Sequence, residues 1–222
     1  GYNTRLGRIW RGSVGKPDYR IDRMLQAGVN PLRAACAWLH DMGRGFKPAF
    51  RVGGWCGHPP HDKVWTGPLY REHPEFRVKD RDGVPLMTLS YAFPEVRERA
   101  LNMIREYMEE CIDLGVEGIS LTYIRGPYFV LFEEPLVAGF KKSHGLDPRS
   151  LDENTPEWKQ WLDYRTTPLT EFMTEIRALT DELARRQGLD RLEVTAFVFA
   201  NPELNLTYGL DLSGWVDRGL VD

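Results

Sequence analysis

Apolar residues recur at helical spacing over 94–111, where Val96, Ala100, Met103, Ile104, Tyr107, Met108 and Cys111 fall on one face and Pro94 suits the first turn. Gly115 stops that helix, and 117–124 reads as an apolar strand with Tyr123 and Arg125 at its end, broken by Gly126-Pro127. Helices are predicted over 18–27, through Ile21, Met24 and Leu25 to a stop at Gly28, and over 31–42, ending at Gly43. Between them and the best helix, 48–52 reads as a short buried strand closed by Gly53-Gly54-Trp55, and 55–93 as mostly loop. A second long loop, 126–155, carries a short helix at 137–142. Trp158, Trp161 and Leu162, then Leu169, Phe172, Met173, Ile176, Leu179 and Leu183, predict one long or two abutting helices, with Pro168 as a kink or a new start. Residues 191–200 are β-branched and aromatic, a further buried strand, and 211–218 a short helix.

Three strands, each followed by a long loop and a helix, imply a parallel sheet with helices outside it, and in such folds strand carboxyl ends carry the chemistry. A complete eight-fold barrel takes roughly 250 residues. The expectation is therefore a partial (β/α)8 TIM barrel with long βα loops, forming a single incomplete domain over 1–222. Gly1 in place of Met and strand-like residues at 219–222 lead to the further expectation of truncation at both ends.

Composition narrows the function. With 42% hydrophobic and 27% charged residues the chain has the make-up of a globular protein, and no apolar run approaches the ~18 residues of a membrane span. A net charge of −3, with both signs interspersed, leaves no basic stripe for nucleic acid. Cys36, Cys56 and Cys111 are odd in number and lack CxxC spacing, so no disulfide scaffold is expected, and Cys111 reads as a buried small hydrophobe. Aromatic residues make up 12%, several in loop-like sequence, where rings serve either as packing or as platforms for sugar faces.

The chemistry-bearing candidates cluster after strands. Glu133-Glu134 follows the 117–124 strand; an acid protonated by partial burial could donate to a glycosidic oxygen, with a second carboxylate as nucleophile or base, and at most one of the two neighbours can serve. A solvated acidic loop or helix start explains the pair equally well. Arg51 and Arg125 end strands, where a guanidinium either orients carboxylates and sugar hydroxyls or makes a structural ion pair. Arg165 sits mid-helix, where pairing with a helical acid is the simpler reading. Cys56, His58, His61 and Asp62 are potential metal ligands, yet the intervening prolines hinder joint ligation, so no metal is assigned. Trp55 and Trp65 flank them as groove walls, and His73 reads as structural. There is no phosphate loop, no GxGxxG after a strand and no serine elbow, and no cofactor is expected.

Four segments together resemble the bacterial glycosyl-hydrolase-like 10 family of barrel proteins: Phe50-Arg51-Val52-Gly53-Gly54-Trp55; His73-Pro74-Glu75-Phe76 with Asp80-Arg81-Asp82-Gly83 and the run 89–97; residues 115–127; and 161–165. The resemblance spans about 50–220 and implies a (β/α)8 barrel that hydrolyses glycosidic bonds of an oligo- or polysaccharide, an exported or periplasmic setting being common for such enzymes. The retained Tyr123-Ile124-Arg125 core implies a ligand-contact role for Tyr123 and Arg125; the reading of the residues themselves adds Glu134 or Glu133 as general acid and Arg51, Trp55, His58, Tyr128 and Asn201 as substrate contacts, with the second carboxylate expected beyond Asp222. The family strand resembles G-I-H-L-D-Y-I-R-Y-P; here Ser120 takes the His place and Thr122 the Asp place, and threonine cannot act as a carboxylate. A non-catalytic carbohydrate-binding protein is the alternative this departure motivates, and a metal-dependent hydrolase using His58 and His61 is the third.

Overall fold

The computed structural model describes residues 12, 13, 16, 17, 19–55, 66–124, 126 and 128–222, with side chains from Arg23 onward. His58, His61, Cys56, Trp65 and Arg125 lie outside the described residues. A two-residue antiparallel ladder, Gly12–Ser13 against Lys16–Pro17, precedes helices α1 (Tyr19–Gln26) and α2 (Pro31–Asp41). Then follow β1 (Ala49–Arg51), α3 (Pro68–Glu72), β2 (Arg77–Lys79), β3 (Pro85–Leu89), α4 (Pro94–Glu109), β4 (Gly118–Thr122), α5 (Glu134–His144), α6 (Pro156–Tyr164), α7 (Thr167–Gln187), β5 (Glu193–Phe197), α8 (Pro202–Thr207) and α9 (Leu212–Asp217).

The expected partial barrel does not form among these residues. β1, β4 and β5 make a three-stranded parallel sheet in that order, and β2 pairs only with β3 in a separate antiparallel hairpin. Three strands are too few to close on themselves, and the described part of 55–93, read as loop, spends its extended residues on that hairpin instead of extending the sheet.

One face of the sheet is packed. Phe50 meets Tyr107 of α4 edge-on at 6.5 Å, and Ile119, Leu121 and Val194 are fully buried in the core with the apolar stripes of α4 and α7. Those stripes are Val96, Ala100, Ile104 and Met108 on α4, and Leu169, Phe172, Met173, Ile176, Leu179 and Leu183 on α7, all at three- and four-residue spacing. Pro168 marks a new start rather than a kink: α6 ends at Tyr164 and Pro168 occupies the first turn of α7, where its missing N–H costs nothing. The two helices α4 and α7 are pinned at three heights, by Arg97 to Glu171 and Glu175, Arg105 to Glu182, and Arg186 to Glu109.

Register puts the alternate residues of the strands on the other face, in two cross-strand rows, Ala49–Ser120–Thr195 and Arg51–Thr122–Phe197. Arg51 and Phe197 are exposed there and Thr122 is half-buried. Gly118 opens β4 with φ 159°, and a Cβ at that position would collide with the backbone of Glu193 on β5. Cys36 and Cys111 are free thiols at 0% exposure, and burial lifts the Cys111 thiol to about 12. No helix among the described residues is long and apolar enough to cross a membrane.

Candidate functional site

The two adjacent glutamates part company at the start of α5. Glu133 is at 0% exposure, and its carboxylate accepts from the amides of Leu131 at 2.9 Å and Lys79 at 3.2 Å, tying the loop after β4 to the hairpin strand β2. Burial pushes its pKa up to about 7, the amides of Leu131 and Lys79 and the Ser90 hydroxyl pulling the other way. Glu134, one residue on, is exposed and ion-paired with Arg149 at 3.0 Å. The structure thus gives one carboxylate a perturbed environment without access, and the other access in an ordinary surface pair.

Several predicted contact residues belong to packing. Tyr123 is at 0% exposure, its hydroxyl donating to Met173 Sδ at 3.1 Å and its ring against Phe129 and Trp215. Trp55 is 9% exposed and leans on the Tyr91 ring, whose hydroxyl donates to the Val52 carbonyl. Asn201 caps α8, its Oδ1 accepting from the Leu204 amide at 2.9 Å. His73 is structural, stacked on Phe76 and bonded to Glu75.

What the carboxyl ends of the strands do present is a row and a cluster of rings. Arg51, Thr122 and Phe197 stand side by side on three strands, a span of about 10 Å at ordinary strand spacing. Phe197 is 61% exposed. On the loops that leave β4 and β5, Tyr128 and Tyr208 stack at 4.6 Å with 29° between planes, and Phe199 meets Tyr208 at 4.5 Å. Tyr128, Phe199 and Tyr208 are each half-buried. Tyr208 follows α8 directly, and a turn at Gly209, φ 81°, fits only without a side chain because a Cβ would meet Val130 at 2.7 Å.

Phe199 and Tyr208 escape sequence reading because their contact depends on α8, a helix of six residues with no apolar period long enough to predict, and Phe197 is 61% exposed at the end of a strand expected to be buried. Arg165 also departs from expectation: it is 2% exposed, with Nη2 donating to the Thr207 carbonyl at 2.9 Å rather than to an acid.

A separate cleft of about 490 Å³ lies between α7 and α9, lined by residues that include Thr167, Thr170, Glu171, Asp211 and Arg218. Its groups largely serve the fold: Glu171 pairs with Arg97, Asp211 caps α9, and Thr170 accepts from the Trp215 indole. Among the described residues no group of three His, Cys, Asp or Glu side chains could hold a metal ion.

No family model matches the chain, and no curated protein matches it.

Proposed function

We propose that the carboxyl edge of the parallel sheet binds carbohydrate, with Phe197, Phe199, Tyr128 and Tyr208 as stacking surfaces and Thr122 and Arg51 as hydrogen-bonding groups beside them. The observation that carries this reading is Phe197, a large ring 61% exposed in one cross-strand row with a guanidinium and a hydroxyl. A sugar ring offers an apolar face to such a ring and hydroxyls at its perimeter to the polar neighbours.

Calorimetric titration of a panel of neutral hexasaccharides (cello-, xylo-, malto- and chito-hexaose) tests it. At least one is expected to bind, and Phe197→Ala or Tyr208→Ala to weaken binding about tenfold, the loss of roughly 1.4 kcal/mol of stacking. Absence of binding across the panel, or unchanged affinity in both variants, removes the proposal.

Hydrolysis, which the family resemblance implies, has one observation in its favour: a Glu133 pKa of about 7 is that of a general acid poised for neutral pH. Against it stand the enclosure of Glu133 and Thr122 in the place of the family acid. Release of reducing ends that is lost in Glu133→Gln and kept in Glu134→Gln would make hydrolysis the function.

A further inference from the structure

Arg165 has an uncommon environment. Its side chain lies between the end of α6 and the end of α8, 2% exposed, and burial lowers its pKa to about 10. Its polar contacts are with a carbonyl instead of a carboxylate, and its Nε, like the neighbouring Trp161 Nε1, has no hydrogen-bond partner among the described residues. The guanidinium rests over the Trp161 ring at 5.8 Å and commits Nη2 to the Thr207 carbonyl. A methionine of similar length would pack against Trp161 without the desolvation cost that a buried cation carries. What the guanidinium adds is direction, a fixed donor aimed at one carbonyl.

That carbonyl belongs to the residue immediately before Tyr208. On its other side Tyr208 is followed by Gly209, whose absent Cβ would sit 3.3 Å from the Arg165 carbonyl oxygen and 3.4 Å from Leu169. Arg165 therefore bonds the backbone before the Tyr208 ring through its side chain, and its carbonyl lies close to the turn after it.

We propose that Arg165 is the positioning residue of the aromatic platform, fixing the Tyr128–Tyr208 stack through its bond to the Thr207 carbonyl. This rests on the carbohydrate-binding reading only for its consequence in affinity; the geometric role stands apart from it.

The experiment uses the full chain labelled with 13C-tyrosine, the Tyr128 and Tyr208 ring resonances being assigned from Tyr128→Phe and Tyr208→Phe. In Arg165→Met, with helical content unchanged by circular dichroism, the mutual ring-current shift of the two tyrosines is expected to collapse. In Arg165→Lys, which keeps a donor for Thr207, it is expected to persist. Affinity for the hexasaccharide that binds the wild type should fall about tenfold in Arg165→Met and recover in Arg165→Lys. A folded Arg165→Met that retains the ring-current shift overturns the proposal. Should Arg165→Met fail to fold, Arg165→Leu, which also lacks a donor, takes its place: a collapsed shift supports the role and a retained one overturns it. If no hexasaccharide binds the wild type, the carbohydrate reading fails while the resonances still decide the role of Arg165.

Discussion

Glu133→Gln is expected to be more stable than the wild type above pH 7, by up to about 3 kcal/mol, and nearly equal to it near pH 4.5. The folded pKa of about 7 lies above the ordinary 4.5, because burial penalises the charged form more than the amides of Leu131 and Lys79 favour it. A carboxyl group shifted in that direction contributes stability that is complete below pH 4.5 and is lost as pH rises through 7. Glutamine keeps the acceptor oxygen for the two amides and offers an N–H to Ser90, but carries no charge to desolvate. Chemical denaturation at half-unit steps from about pH 4.5 to 8 would show wild-type stability falling while the glutamine variant stays level. Glu133→Ala is the control: it strands two part-buried amides and, carrying no titrating group, should run level with pH at about 3 kcal/mol below Glu133→Gln. Parallel curves for wild type and Glu133→Gln would mean that the carboxylate is already well solvated.

The second large effect is expected at Gly118. A methyl group there meets the O, C and N atoms of Glu193, and a strand backbone cannot rotate aside as a side chain can. Gly118→Ala should cost at least about 3 kcal/mol and lower the thermal midpoint by roughly 10 °C, because β4 and β5 must separate where their ladder begins. Gly83→Ala separates this clash from simple backbone strain. Its φ is 84° and a methyl group there would find nothing within 4 Å, so about 1 kcal/mol is expected. Equal losses at the two positions would show that close approach across the ladder is not the determinant.

The elements that sequence reading recovers are those with a long enough period. α4 and α7, at 16 and 21 residues, repeat their apolar positions over four turns or more, and β1 and β4 have glycines close to their ends. The β2–β3 hairpin is invisible by the same logic, because Arg77–Lys79 offers one buried residue, Val78, between two polar ones. The barrel expectation failed because order along the chain sets the kind of sheet but not its number of strands. At the site, the parity of β4 is a signal that the sequence does carry. Ile119, Leu121 and Tyr123 share it, so Tyr123 follows its apolar neighbours into the core, whereas Ser120 and Thr122 take the opposite face. Nothing comparable separates Glu133 from Glu134, since both follow Phe132 and precede a proline; only the hairpin folding back over Glu133 tells them apart.

The three cross-links between α4 and α7 add little to stability, since most of their groups are half-exposed to solvent. Their effect is on motion. Contacts spread over the length of two helices resist shear in the way that rungs stiffen a ladder, so the pair moves as a single plate with the sheet laid against it. What compliance the fold has near the strand ends is therefore left to the connecting segments rather than to sliding helices.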